Sequence, residues 1–482
     1  MAEALRQLRP ELLVLGAALL VILVDLVQPR GGRRWQGWLS GALAAGLVVV
    51  LAGEWSHLAR PVALWDGVVV IDRLGLIFKL TFLLGVAVTA IGSADYAADR
   101  FRHVGEYYGL RFFSALGMML MASAGDLLTL YLGIELTTLS LYVLVSFNKD
   151  RPRSGEAGLK YLILGATASA IYIYGVSLIY GSAGTTLFAA LLQDMGRFGE
   201  LTPGMMVGGA MVLAALAFKV AAVPFHMWAP DVYQGAPTPV TAFLSTASKA
   251  AGFVALIRVF FGPVGASGES WMPLVMLLAA LSMVVGNLLA IPQRNIKRML
   301  AYSGIAQAGY ALVGLAAVSP AGARAGALAT SFFLFQYLFT NLGAFLIVSL
   351  VGESGGDDEI QSYNGLSRRN PLLAFAMLLL LLSLGGIPPL SGFWGKLFVF
   401  RAAIQNGQYG LVLIGVLASV VSLYYYLMVA RAMYIEPEGE RQPVRTSVGV
   451  AVAVVICLAM VLGLTYPAPI YGLAEAAARV LF

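Results

Sequence analysis

Apolar runs of about 17 to 25 residues recur from one end of this 482-residue chain to the other, and each matches the roughly 20 residues a helix needs to cross a bilayer. Such a chain has little choice of architecture. Lipid offers no partner to open backbone, so the runs must be helices and the sequence is read as an all-α polytopic membrane protein. Fourteen spans are expected, starting near residues 11, 37, 74, 110, 126, 157, 205, 240, 271, 298, 325, 371, 410 and 447. Hydrophobic residues make up 59% of the chain and charged ones 12%, about half the charged share of a soluble domain. The main polar loops, 93–109, 148–156, 352–370 and 435–446, are too short to fold alone, and the sequence VGESGGDDEIQSYNGLSRRN reads as a flexible cytoplasmic connection. The first run carries Glu11 and Asp25 with no small-residue cleavage site behind it, so it is expected to be a retained helix.

The net charge of +6 belongs to topology rather than to a nucleic-acid partner. If both termini face outward, the cytoplasmic loops collect 17 of the 31 Lys and Arg residues, among them Arg30, Arg111, Lys297 and Arg298, and the outer side collects 9, among them Arg73 and Arg258. That bias follows the positive-inside rule for an even number of spans. The remaining basic residues are all lysines set in apolar helices: Lys79, Lys160, Lys219, Lys249 and Lys396. Every arginine can be placed in a loop or near a helix end. A lysine at the bilayer centre costs about 2.5–3.5 kcal/mol on insertion scales, so several in one chain imply a use. A buried amine can exchange protons near neutral pH, whereas a guanidinium stays protonated.

Two segments, LAFKVAAVPFHMWAP and LSLGGIPPLSGFWGK, interrupt a helix with proline and resume it after aromatic residues, with Lys219 before the first break and Lys396 after the second. Paired broken helices in two halves of a chain point to an inverted-repeat transporter with its site near the membrane midplane. Glu135 lies nine residues after Asp126, roughly 13 Å along its helix, and could hold or release the Lys219 proton by moving; the alternative is a static ion pair. His226 falls two turns after Lys219, about 10 Å along an unbroken helix, and either bridges the gap with water or caps the break. Thr241, Ser245, Thr246 and Ser248 lead up to Lys249, as a water wire or as packing contacts. Lys160 stands near the cytoplasmic end of its helix, where snorkelling is the alternative, and snorkelling is expected for Lys79. The single cysteine, Cys457, excludes a disulfide and any cysteine-ligated cluster, and no phosphate loop, dinucleotide motif or nucleophile triad is present.

The run FKVAAVPFHMWAPDVYQGAPTPVTAFLSTASKAA, with GDLLTLYLGIEL around Glu135, GNLLAIPQRNIKRMLAYSGIAQAGY around Lys297 and Ser303, and GGIPPLSGFWGKLFVF around Lys396, closely resembles the antiporter-like subunits of proton-pumping NADH:quinone oxidoreductase, respiratory complex I. The resemblance covers essentially the whole chain. It implies two inverted five-helix repeats, 110–262 (fourth to eighth helices) and 271–434 (ninth to thirteenth), between 1–109 (first three helices) and 435–482 (last loop and helix). It also implies that Glu135, Lys219, His226, Lys249, Lys396 and, on the cytoplasmic side, Lys160 carry protons. The implied setting is a bacterial plasma membrane, both termini outside, beside other membrane subunits of the complex including sister antiporter-like subunits. FMN, iron–sulfur clusters and quinone would be bound by other subunits and no cofactor by this chain. A cation/proton antiporter of the Mrp type shares these motifs, and a purely structural bundle is the remaining alternative.

Overall fold

The computed structural model describes residues 6–28, 33–58, 60–198, 202–261, 268–316, 320–354, 357–438, 443–468, 471–472 and 475. Arg30 and part of the 435–446 loop lie outside the described residues. Helices lie at all the expected starts: α1 Arg9–Val27, α2 Arg34–Gly53, α3 Arg73–Gly92, α4 Val104–Ser123, α5 Leu127–Val145, α6 Pro152–Ala183, α7 Pro203–Lys219 with α8 Trp228–Gly235, and α9 Thr238–Phe260. They continue as α10 Gly268–Ala290, α11 Ile296–Leu315, α12 Pro320–Glu353, α13 Pro371–Gly385 with α14 Ser391–Gln405, α15 Tyr409–Tyr434 and α16 Val448–Gly463. Among the described residues nine helices are long and apolar enough to span a bilayer, and α7, α13 and α16 are shorter apolar helices. Among the described residues the one β-sheet is a small hairpin, β1 Val62–Leu64 and β2 Val69–Ile71, turned by Trp65 and Asp66 in the left-handed region.

The most buried helices are not the most apolar. Helix α9 is buried along its whole length although its mean hydropathy, 1.5, is the lowest of the nine, while α1, at 2.4, leaves most of its surface outside. This inversion follows from the solvent: lipid accepts apolar faces such as Leu19, Leu132 and Leu417, and polar side chains must turn inward. Helix α12, 34 residues, is the second buried axis, packed against α14 and α16 on one side of the chain order and against the π-wound turn of α9 on the other. At about 1.5 Å per residue it is near 50 Å long, more than the hydrocarbon core requires.

Two features depart from the sequence reading. The 352–370 segment is not a loose connection, because Ile296 N donates to Asp358 O at 2.7 Å and Ile360 N to Arg294 O at 2.8 Å, strapping 357–360 over the start of α11. Arginines also enter the interior. Arg258, in the last turn of α9, pairs with Asp72 at 2.5 Å and donates to Ala122 O at the end of α4, with both side chains buried. Arg111, expected in a loop, is fully buried within α4 over the Tyr107 ring.

Asp72 also caps α3 by accepting from Gly75 N at 2.7 Å. Removing one partner of a buried pair leaves an uncompensated charge, so Asp72→Ala should destabilise the chain by about 3–5 kcal/mol. Combining it with Arg258→Met should recover all but the roughly 1 kcal/mol of the lost cap, as read from the melting of the purified protein in lipid nanodiscs.

Candidate functional site

Helix α7 ends at Lys219, and the chain then runs through Ala221, at φ +58°, and Pro224 before α8 begins at Trp228. The helical spacing between Lys219 and His226 therefore does not apply, because the intervening backbone is not helical. The break is internally satisfied: Trp228 Nε1 donates to Phe218 O at 2.9 Å, Ala222 N to Ala217 O at 2.8 Å, and Val223 N to Ser282 Oγ on α10 at 2.9 Å. Lys219 is buried, and its Nζ has no hydrogen-bond partner. Glu135, half-buried on α5, accepts at Oε1 from Ser169 on α6 rather than pairing with Lys219. His226 is half-buried beside the exposed Pro224 and Met227, with Nδ1 unpartnered.

The stem of Lys219 passes over α9 at Gly252, where an added Cβ would stand 3.1 Å from Lys219 Cγ and 2.6 Å from Val220 Cγ1. Lys249 lies three residues earlier on α9, so the two lysines meet one face of that helix. Lys249 Nζ donates to Gly304 O on α11 and stands 5.8 Å from the centre of the Tyr337 ring. Beside Gly304, Ser303 and Tyr426 share a 2.5 Å hydrogen bond, and Gln307 donates to Tyr426 at 3.4 Å and to Leu384 O at 3.0 Å. The next carbonyl, Gly385 O at the end of α13, accepts from Lys396 Nζ at 2.9 Å, and Lys396 also reaches Ser419 at 2.7 Å and the Tyr310 ring at 4.6 Å. Polar groups thus lie between Lys249 and Lys396 across α11, α13, α14 and α15: Ser303, Tyr426, Gln307 and Leu384 O are bonded in turn, and the carbonyls that hold the two lysines belong to the neighbouring residues Gly304 and Gly385. Of the hydroxyls before Lys249, Thr241 donates to Tyr233 O and Thr246 to Ala242 O, and Ser245 accepts from Asn341.

Lys160 stands apart from this line. Its side chain is 44% exposed and pairs with Glu156 at 2.8 Å and with Asp231 at 2.9 Å, and Asp231 also pairs with Arg298 at 2.6 Å, tying α6, α8 and α11 together. Lys79 does not snorkel: it is buried against Glu11 of α1 at 2.5 Å. A further buried lysine escaped the sequence reading, Lys297 in the first turn of α11, which donates to Ala236 O at 2.9 Å.

Residues 124–422 match the family described as NADH:quinone oxidoreductase/Mrp antiporter, TM. A protein of Moorella thermoacetica named NADH-quinone oxidoreductase subunit N is 45% identical over 482 residues, 99% of each chain. The chain belongs to this family. Its fold is that of a chain in respiratory complex I from Thermus thermophilus, solved with bound aureothin, with 33% identity, a TM-score of 0.81 and 97% of this chain and 100% of that one covered. A chain of the Mrp complex from Dietzia superposes with a TM-score of 0.88 over 100% of this chain and 98% of that one, but at 22% identity the likeness is one of fold.

The antiporter-like fold seats Lys396 against a glycine turn that the sequence did not flag. Gly386 sits at φ +85°, and a Cβ there would come 3.0 Å from Lys396 Cδ and 3.3 Å from its Nζ. Gly407, at φ +75°, has open space around it. Both Gly386→Ala and Gly407→Ala should cost about 1–2 kcal/mol of backbone strain. Only Gly386→Ala should also displace the lysine, so proton pumping by the assembled complex should fall with Gly386→Ala and hold with Gly407→Ala.

Proposed function

We propose that this chain is a proton-translocating membrane subunit of a bacterial NADH:quinone oxidoreductase, without a redox centre of its own. The observation that carries the reading is the set of buried lysines and polar side chains through the middle of the molecule, with the hydrogen-bonded Ser303, Tyr426 and Gln307 lying between the Gly304 carbonyl that holds Lys249 and the Gly385 carbonyl that holds Lys396. FMN, iron–sulfur clusters and quinone belong to neighbouring subunits in this reading, and sister antiporter-like subunits lie alongside in the membrane. Both termini face outward, all fourteen spans cross, and the repeats are 110–262 and 271–434, flanked by 1–109 and 435–482. An electrostatic change arising at quinone reduction would reach Glu135 and turn its carboxylate toward or away from Lys219. With the carboxylate near, Lys219 holds its proton; with it away, the unpartnered amine gives the proton up.

The released proton passes by water and His226 to Lys249, then along the Ser303–Gln307–Tyr426 network to Lys396 and out. Each lysine is neutral only between passing one proton on and receiving the next. Lys160, with Glu156 and Asp231, collects protons at the cytoplasmic surface. The rival reading, a cation/proton antiporter of the Mrp type, shares the family match, the motifs and the fold, but the Mrp chain is 22% identical where the subunit N relative is 45% identical.

The test is Lys219→Ala and Glu135→Ala in the assembled complex, with quinone-linked pumping measured in membrane vesicles. Both should lower the protons pumped per quinone reduced while the complex still assembles. Full pumping with normal assembly would reduce the buried charges to packing elements. Co-purification with flavin- and iron–sulfur-bearing subunits, rather than with small antiporter subunits, separates the two readings of the family.

A further inference from the structure

The relay above leaves Lys297 without a task. Its Nζ, besides its bond to Ala236 O, lies 3.5 Å from Asp358 of the strap. Asp358 borders a cavity of about 430 Å³, lined by Arg100, Arg151, Arg153, Asp357 and Glu359 among others, and the lining includes Thr238 and Asn295, which begin α9 and cap α11. A polar chamber of this size holds roughly ten or more waters.

From the chamber inward, α9 presents Thr238, Thr241 and Ser245 at intervals of three and four residues, and Lys249 follows four further on, all on one face. Thr241 and Ser245 are fully buried. Ser245 Oγ accepts from Asn341 Nδ2 of α12 at 2.9 Å. The other end of that amide, Oδ1, has no partner, and neither has the hydroxyl of Tyr337, four residues away on α12 and next to Lys249. Buried polar atoms left without protein partners mark the places where ordered water belongs. The π-helical turn Leu244–Ser248 widens α9 at the same level.

We propose that the chamber and the Thr241–Ser245–Asn341–Tyr337 track form an aqueous inlet that loads Lys249 with protons from the side on which the 357–370 segment lies, with Lys297 and Asp358 at its mouth. The inlet rests on the proton-translocating reading and adds an entry that bypasses Lys219. A proton entering from the chamber displaces one along the water and hydroxyl chain, the last water gives its proton to neutral Lys249 Nζ, and Lys249 later passes one on toward Lys396. The track ends each cycle as it began. Lys297 is a positioning residue, a cation clamped by Asp358 and Ala236 O that fixes the strap against α11.

The test uses the assembled complex in membrane vesicles, with Cys457→Ala as background and Thr238→Cys or Thr241→Cys added. A small water-soluble methanethiosulfonate applied to the chamber side should modify both. Modification of Thr238→Cys with no modification of Thr241→Cys overturns the inlet. Ser245→Val, or Ser245→Ala if the larger change hinders assembly, should lower the protons pumped per quinone reduced, though by less than Lys249→Ala, because the Lys219 route still reaches Lys249. Full pumping by the Ser245 variants beside a loss in Lys219→Ala and Lys249→Ala overturns the inlet alone. Full pumping by all of them overturns the translocation reading, and the labelling of Thr241→Cys then decides the inlet by itself.

Discussion

A cation held away from water needs oxygen, and in this chain the oxygen comes mainly from the ends of helices. The last carbonyls of a helix have no partner within it and carry the negative end of its dipole. Lys396 takes Gly385 O at the end of α13, Lys297 takes Ala236 O just past α8, and Arg258 takes Ala122 O near the end of α4. The breaks and short helices that look like interruptions in the sequence therefore supply binding groups for buried charge. Lys249 instead takes Gly304 O from within α11 and Lys79 the Glu11 carboxylate, while the Lys219 amine has no hydrogen-bond partner.

The positions of Lys219, Lys249 and Lys396 were legible because a lysine within an apolar run is a one-residue signal that lipid makes costly. The two breaks were legible because proline leaves little alternative. What escaped were residues near helix ends. Lys297 and Arg111 read as loop residues, and whether such a side chain turns inward depends on what covers it: the 357–360 strap in one case, the tyrosines of α4 in the other. Lys79 was misread for the same reason, since Glu11 arrives from a different helix to bury it. Pairings between distant positions, such as Arg258 with Asp72, leave no local trace at all.

The hydroxylated stretch before Lys249 was read both as a water wire and as packing. Thr246 and Ser245 both donate to Ala242 O of their own helix, but Ser245 also accepts from Asn341, and the Asn341 Oδ1 and the Tyr337 hydroxyl of α12 beside it are left without protein partners. The difference comes from α12, whose polar residues are diluted in an aromatic, apolar sequence and gain meaning only when α9 is laid against them.

The seat of Lys396 bears on how such a relay could change its chemistry. The side chain lies on bare backbone at Gly386 and ends between Gly385 O and Ser419, two acceptors arranged for a donor. A carboxylate placed there would face a carbonyl oxygen with nothing to donate to it. Exchanging a basic station for an acidic one at this point is thus a change of a whole small neighbourhood, in which backbone course, hydroxyl and side-chain length would have to shift together.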